Sequence, residues 1–244
     1  MNRPPAPLTP PAQPRRRIYL MRHGSVDYFS ADGTPVPPHG VPLNALGRKQ
    51  ADAAGRLFAD CGVRFDAVLC SGLPRTLETA GRVLAASGQT LAVATDERLQ
   101  EIRPGRLEAI AREDLVRAFL GIFEAGTDIE AQRFMGGESV GELLDRVLPA
   151  FEELLQRDDW QCLLLVLHGG VNRALLSRAL TGGRSFFGRI EQSPACVNVL
   201  DVGSADMVLR GCNLAPTEWL HQHERQTTME ALLGQFLQLR RQAG

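Results

Sequence analysis

The chain has 244 residues, of which 44% are hydrophobic and 23% are charged, and its 27 basic and 28 acidic residues give a formal net charge of -1. This balance is typical of a soluble globular protein with a sizeable core, and it gives no support for nucleic-acid binding through overall charge. The longest apolar run, CLLLVL at 162–167, is too short to span a membrane.

The first segment, residues 1–17, is rich in proline and arginine and has almost nothing to bury. We predict that it is a disordered, extended arm, followed by a single domain at 18–244. No hydrophobic signal core precedes that domain, and the five cysteines form no CxxC pair and have apolar neighbours. These features predict reduced, buried thiols and a cytoplasmic protein.

After the arm, strand-like and helix-like segments alternate along the chain. The predicted strands lie at 18–21, 65–72, 90–99, 162–167, 195–203 and 205–213. The predicted helices lie at 43–62, 73–88, 111–126, 137–158, 171–183 and 227–242. The alternation predicts an α/β fold, a three-layer sandwich with a mainly parallel central sheet flanked by helices. The last two strands are close enough to form an antiparallel hairpin at one edge.

Several residues mark the ends of the predicted helices. Gly62 is placed to stop the first helix, and Pro74 lies in the first turn of the second. Ser139 is a predicted N-cap, with Glu142 three residues on as in a capping box. Residues 109–137 are predicted to be a helical insertion that forms a lid over a pocket.

Three of the predicted strands end in cationic or titratable residues. Arg22 and His23 follow IYLM, Arg75 lies just beyond AVLCSG, and His168 follows LLLVL. Ligands of open α/β sheets bind outside the carboxyl ends of the strands, so these side chains would meet in one pocket if the strands are neighbours. So many positive donors would be costly with nothing to bind. The ligand that best suits such a pocket is a phosphoryl dianion.

The chain resembles the histidine phosphatase superfamily, which includes cofactor-dependent phosphoglycerate mutases. The resemblance extends from about Ile18 to the strands near Val208 and rests on five ordered motifs. They are RHG at 22–24, VPLNALGRKQADAAGRLF at 41–58, CSGLPRTLETA at 70–80, ERLQEIRPGRLEA at 97–109, and GGES at 136–139 with LVLHGG at 165–170. It implies a phosphoglycerate mutase-like fold and a small phosphorylated substrate, with no cofactor, metal, nucleic acid or membrane as partner.

The resemblance also implies a role for each catalytic residue. His23 would attack phosphorus and become a phosphohistidine, since a neutral imidazole is a good nucleophile near pH 7. Arg22 and Arg75 would each present a planar fork to phosphoryl oxygens, and His168, protonated with phosphate bound, would add another donor. Glu101 would protonate the departing oxygen and then activate water. Together these roles describe a metal-independent, histidine acid phosphatase-type phosphomonoesterase.

The outer part of the phosphate site departs from the family pattern. Many members carry a threonine and an asparagine shortly after RHG, where this chain has Val26 and Phe29. Ser25 is expected to supply a replacement hydroxyl, and Gly169 to let helix N–H groups face phosphate. The segment after Glu101 is short and lacks the tyrosine of the mutase branch, which favours hydrolysis.

Other interpretations of the function and of the site residues stay open. A phosphoglycerate-type mutase would use the same residues, and a non-catalytic phosphate-binding regulatory module would keep the pocket without the chemistry. Glu97 and Glu108 are rival carboxylates to Glu101, although the Gly105 and Glu108 that follow favour Glu101. His221 and His223 invite a metal interpretation, but without further ligands we expect surface residues.

Overall fold

The structure, a computed structural model, describes residues 15–30, 34–107, 110–121, 128–223 and 225–242. Residues 1–14 of the predicted arm lie outside this described part, as do residues 31–33, 108–109, 122–127, 224 and 243–244. No helix in the described ranges is long and apolar enough to cross a membrane.

Six strands in the described part of the chain form one central sheet, in the order β3-β2-β4-β1-β5-β6. They are β1 (Arg16–Arg22), β2 (Ala67–Cys70), β3 (Val93–Thr95), β4 (Cys162–Leu167), β5 (Val197–Val202) and β6 (Met207–Leu214). β1, β4, β2 and β3 pair in parallel, whereas β5 is antiparallel to both β1 and β6. The predicted α/β fold and the edge hairpin are confirmed, and the sheet is mixed.

Six α-helices of the described residues surround the sheet. They are α1 (Ala45–Asp60), α2 (Pro74–Ala86), α3 (Leu115–Leu120), α4 (Val140–Gln156), α5 (Gly169–Thr181) and α6 (Thr228–Gln242). α1 ends two residues before Gly62, which has a φ of +66°, and α2 begins on Pro74. The capping box of Ser139 and Glu142 at the start of α4 is present as predicted.

The two faces of the sheet bury alternate residues of the same strands, as the pleat requires. Ile18 and Leu20 of β1 pack in a core cluster with α4 and α5, whereas Met21 packs in a second cluster with α1 and α2. The result is the predicted three-layer sandwich. A third cluster joins α3, α6 and Phe29 beyond the carboxyl ends of the strands.

The bounds of three elements differ from the sequence predictions. β1 begins at Arg16, two residues before the predicted domain start at Ile18, because Arg16 donates to the carbonyl oxygen of Leu155 at 2.6 Å and stacks on Trp160. β3 covers only 93–95 of the predicted 90–99, since a 3-10 turn begins at Glu97. Within the predicted helix 111–126, α3 occupies 115–120 after a 3-10 turn at 112–114.

The cysteines also differ in part from the prediction. All five thiols are free, and Cys70 and Cys196 are buried as expected. Cys61 and Cys212 are exposed, because Cys61 caps the end of α1 and Cys212 lies on the edge strand β6. The expectation of buried thiols was therefore wrong for these two residues, and it holds only in part for Cys162, which is half-buried.

Candidate active site

His23 and His168 lie side by side at the carboxyl ends of adjacent strands. β1 and β4 pair in parallel with Arg22 opposite Leu167, so the residue that follows each strand reaches the same edge of the sheet. The backbone N–H of His23 donates to the carbonyl oxygen of Leu167 at 3.0 Å, and the two imidazole centroids are 5.2 Å apart. The expected meeting of the two histidines is observed.

The tautomer of His23 is set by its own neighbour. Nδ1 of the ring lies 2.7 Å from the carbonyl oxygen of Gly24, and a carbonyl oxygen only accepts hydrogen bonds. Nδ1 therefore carries the proton, and Nε2 holds the lone pair of the neutral ring. Gly24 has no room for a side chain, because an added Cβ would lie 2.5 Å from the carbonyl oxygen of Gly47 in α1.

His168 stands at the start of a directed chain of hydrogen bonds. The Thr76 hydroxyl donates to the carbonyl oxygen of Leu73 at 2.8 Å, so it accepts from the Ser71 hydroxyl at 3.0 Å. Ser71 Oγ then accepts from Nε2 of His168 at 2.7 Å. Nδ1 of His168 is buried and has no hydrogen-bond partner among the described residues. That nitrogen can take a proton and donate it toward a bound anion.

Two buried arginines flank the histidine pair. Arg22 donates to the carbonyl oxygen of Gln192 and, at 3.0 Å, to the Thr228 hydroxyl, and Arg75 donates to the carbonyl oxygen of Pro38 at 2.6 Å. The exposed fractions of Arg22 and Arg75 are only 7% and 2%. In each guanidinium, Nε is buried with no hydrogen-bond partner within the described ranges. Buried unsatisfied donors of this kind indicate a site made for an anion.

The buried cations shape the titration of both imidazoles. Burial, together with the guanidinium groups of Arg75 and Arg22, holds the pKa of His23 well below its ordinary value. The pKa of His168 is lowered in the same way by burial and by Arg75, His23 and Arg22. Both rings are therefore neutral at pH 7 without an anion, as a nucleophile at His23 requires. A bound dianion would favour protonation of His168.

Glu101 reaches the same site from the segment after β3. Its Oε1 accepts from the backbone N–H of Ile102 at 2.9 Å, and both carboxylate oxygens lie 3.1 Å from the N–H of Gly170 in the first turn of α5. An added Cβ at Gly170 would lie 2.5 Å from Oε1. Of the rival carboxylates, Glu97 is exposed and Glu108 lies outside the described residues.

An ion pair between α4 and the segment before it supports the backbone that carries Glu101. Arg146 of α4 donates to the carbonyl oxygens of Arg98, Gln100 and Glu101 at 2.7, 2.6 and 3.0 Å. The same guanidinium pairs with the Glu138 carboxylate at 2.7 and 2.8 Å. Although burial opposes the effect, Arg146 holds the pKa of Glu138 below its usual value. Glu138 thus lies next to Ser139, the N-cap of α4, and its carboxylate is paired with the Arg146 guanidinium.

Sequence reasoning missed a third buried arginine in the site. Arg173 of α5 lines the same cavity, and its guanidinium pairs with Glu191 at 3.0 Å. Glu191 also accepts from the Thr228 hydroxyl at 2.7 Å. Although burial opposes it, Arg173 and Thr228 hold the pKa of Glu191 below its usual value. The sequence did offer one signal for Arg173: it lies one turn after Gly169, among the apolar residues of a buried helix.

Of the remaining predicted residues, Gly169 lines the cavity, whereas Ser25 is not among the lining residues. Gly169 begins α5, where an added Cβ would lie 3.6 Å from Nε of Arg22. Ser25 lies on the α1 side, with its N–H donating to Gln50 at 2.9 Å and its hydroxyl 3.5 Å from the amide nitrogen of Asn44. Val26 packs against the core cluster under α1 and α2, so it supplies no polar group.

The site opens into a cavity of about 470 Å³. Arg22, Arg75, Glu101, Gly169 and Gly170 line one end of it. The rest of the lining comes from the loop after β1, the segment after Glu101, and helices α3 and α6. The described part of the predicted insertion, 110–121 and 128–137, contributes Phe119, Phe134 and Met135 to the wall; its function as a lid stays a prediction.

Comparisons with known proteins find relatives over most of the chain. The model of the histidine phosphatase superfamily (branch 1) matches residues 18–215. A glucosyl-3-phosphoglycerate phosphatase from Mycolicibacterium vanbaalenii is 32% identical over 172 residues, which are 68% of this chain and 74% of the relative. Phosphoglycerate mutase-like protein 4 from Arabidopsis thaliana is 30% identical over 172 residues, or 68% and 72% of the two chains.

A solved structure extends the comparison to the fold. The alpha-ribazole phosphatase from Shigella flexneri superposes with a TM-score of 0.65 at 27% sequence identity, covering 81% of this chain and 96% of that protein. The relatives thus include both phosphatases and mutase-like proteins.

Proposed function

The chain belongs to branch 1 of the histidine phosphatase superfamily, and from this membership we propose that it is a phosphomonoester hydrolase that acts through a phosphohistidine on His23. The observation that carries the proposal is the surroundings of that ring. A neutral imidazole with its proton held on Nδ1 lies beside two buried donors, Nε of Arg22 and Nε of Arg75, and beside Nδ1 of His168, a ring nitrogen that can take a proton; none of these three atoms has a hydrogen-bond partner in the described part. This arrangement suits a nucleophile beside a phosphoryl site.

The proposed reaction has two steps. In the first, Nε2 of His23 forms a bond to phosphorus while the bond between phosphorus and the ester oxygen breaks, and Glu101 gives its proton to that oxygen. In the second, the Glu101 carboxylate takes a proton from water, whose oxygen attacks phosphorus as the bond to Nε2 breaks. Inorganic phosphate leaves, and both residues return to their starting states.

Fixed cations would stabilise the negative charge on the phosphoryl oxygens in both steps. The guanidinium groups of Arg22 and Arg75 and a protonated His168 supply donors for the equatorial phosphoryl oxygens. Because these groups are already buried and held by other hydrogen bonds, they need little reorganisation during transfer. These cations would neutralise the charge without a metal ion.

A phosphoglycerate-type mutase is the second candidate, and the mutase-like relatives are its support. A mutase must hold its intermediate for a second transfer, whereas a hydrolase admits water. The short segment after Glu101 favours hydrolysis. The finer assignments, a histidine acid phosphatase type, a small phosphorylated metabolite as substrate and a cytoplasmic location, stay predictions.

Trapping the intermediate tests the proposal. The protein is mixed with a phosphomonoester that carries labelled phosphate and is then quenched in base, in which phosphohistidine survives. We expect up to one acid-labile phosphoryl group per chain, and none in His23→Ala, while the exposed control His223→Ala labels like the wild type. Absence of label and of phosphate release in the wild type would support the non-catalytic module instead. Conversion of one phosphoglycerate isomer into the other without net phosphate release would support the mutase.

A further inference from the structure

The cavity continues from its cationic end into an apolar chamber. The chamber walls come from the loop after β1, from α3 and the turn before α4, and from α6. The side chains that form them include Phe29, Phe119, Phe134, Met135, Met229 and Leu232. The total volume of about 470 Å³ lies in the range of roughly 300–1,000 Å³ that is usual for pockets that enclose a small organic ligand. A phosphoryl group would fill only its cationic end.

The apolar walls are held in place from behind. The ring of Phe236 in α6 lies 5.4 Å from that of Phe29 and 6.1 Å from that of Phe119, measured between centroids. Phe29 also pairs with Pro35 across the loop, where the N–H of Val36 donates to the carbonyl oxygen of Tyr28 at 2.9 Å. The chamber is therefore a preformed surface, which favours binding of a rigid apolar group.

Polar side chains are a minority of the cavity lining, and besides those named next they are Tyr28, Gln100, Arg103, Arg173 and Thr228. Arg22, Arg75 and Glu101 are at the phosphoryl end, whereas His39 and Arg106 are exposed side chains at the rim. The rest of the described lining is dominated by aromatic, aliphatic and proline side chains. Hydroxyl or carboxylate groups placed against these apolar side chains would lose water without gaining hydrogen bonds from them, which disfavours a polyhydroxy acid.

We propose, on the basis of the hydrolase function proposed above, that the substrates are phosphomonoesters whose alcohol carries an aromatic or similarly apolar ring. The phosphoryl group would lie against the cations, and the ring would fill the chamber between Phe119 and Leu232. The geometry thus favours ring-bearing esters over phosphates of glycerol or of small hydroxy acids.

Two esters of matched reactivity test the proposal. 3-Phenylpropyl phosphate and propyl phosphate have leaving alcohols of similar acidity, so they differ mainly in the ring. Since burial of a Phe-sized side chain is worth a factor of about 10 to 100, we expect kcat/KM to favour the phenyl ester by at least about tenfold. Glycerol 3-phosphate should react no faster than propyl phosphate. Equal values for all three esters would overturn the substrate class.

Variants of α6 localise the effect to the chamber. Leu232→Gln and Met229→Gln place a polar group in the wall at half-buried positions, and each should lower the ratio of kcat/KM for phenylpropyl over propyl ester by about fivefold or more. The control Leu237→Gln changes a half-buried leucine of the same helix that is not part of the cavity lining, and it should keep the wild-type ratio. A ratio unchanged in both wall variants would refute the placement of the ring.

A binding measurement separates this proposal from the proposed function. Calorimetry with 3-phenylpropylphosphonate and propylphosphonate needs no turnover. If no ester is hydrolysed, the hydrolase function fails, yet tenfold tighter binding of the phenyl compound would still support the apolar chamber. If esters are hydrolysed but the two phosphonates bind equally, the function stands and the substrate class is wrong.

Discussion

Nδ1 of His23 donates its proton to the carbonyl oxygen of Gly24 over 2.7 Å, and this contact decides which nitrogen of the ring is nucleophilic. We predict that the phosphoryl group of the trapped intermediate is bonded to Nε2. Phosphorus–nitrogen couplings or chemical shifts in NMR of the quenched, labelled protein distinguish the two isomers. A phosphoryl group on Nδ1 would mean that the Gly24 contact breaks before attack, and the tautomer argument would be wrong.

The meeting of the strand-end residues around His23 could be predicted from the sequence. Arg22 and His168 follow apolar runs, and the carboxyl ends of parallel strands share one edge of the sheet, so the two residues meet once β1 and β4 are neighbours, as they are here. The hydrogen bond from His23 to the carbonyl oxygen of Gly24 could not be predicted in the same way. Which carbonyl oxygen faces a ring depends on the turn after the strand, and here that turn packs closely against Gly47 of α1.

The buried imidazoles should make the stability of the free protein depend on pH. The folded-state pKa values of His23 and His168 are lowered, so below about pH 6.5 the unfolded chain binds protons that the folded chain does not. Their stabilising effect is present above that pH and is lost as the pH falls, by up to about 1.4 kcal/mol per pH unit for each ring. We expect His168→Gln to show a shallower loss in urea unfolding between pH 6.5 and 5. Parallel curves for variant and wild type would contradict the assignment.

Glu101→Gln should slow esters with poor leaving groups far more than esters with good ones. An alkoxide needs a proton as it departs, whereas a nitrophenolate does not, so general acid help of about 100- to 10,000-fold applies mainly to alkyl esters. The measurement is kcat/KM over a series of aryl and alkyl phosphates. A uniform loss across the series would remove Glu101 from the acid role and reopen the case for a neighbouring carboxylate.

Gly170→Ala should impair catalysis while leaving the fold intact. The added Cβ would lie 2.5 Å from Oε1 of Glu101, the movable end of a flexible side chain, so the carboxylate would shift and the backbone would not. A displacement of about 1 Å at a catalytic group can lower the rate by roughly 100-fold.

The matched control is Gly81→Ala, in the interior of α2, where an added Cβ meets nothing within 4 Å. It should stabilise the protein by about 0.5–1 kcal/mol and keep full activity, since alanine is the better helix former. Unfolding curves and kcat for the two variants give the comparison. Full activity in Gly170→Ala would show that Glu101 is not held by that N–H during the reaction.

The residues that sequence reasoning missed share a physical reason. Arg146 and Arg173 lie inside long helices, where many arginines are simply solvated, and only the packing of α4 and α5 turns these two inward. Arg16 likewise joins β1 because its partners, Leu155 and Trp160, come from far along the chain. Local pattern identifies the element, but it does not reveal a partner that tertiary packing supplies.

Of these arginines, Arg146 has the most direct link to the site. Its guanidinium donates to three carbonyl oxygens of the segment that ends in Glu101. We predict that Arg146→Met lowers stability by roughly 3–5 kcal/mol, since Glu138 is left buried and charged without its partner. We also predict that its activity loss is largest for esters with poor leaving groups, the signature of a displaced Glu101.

The double variant Arg146→Met with Glu138→Gln separates these two effects. It removes the stranded charge, so much of the stability should return, yet the carbonyl oxygens stay unsupported and the leaving-group dependence should persist. Urea unfolding and the ester series measure the two properties on the same preparations. If activity recovers together with stability, Arg146 stabilises the fold without positioning Glu101, because a positioning residue acts on the general acid even when the surrounding charges balance.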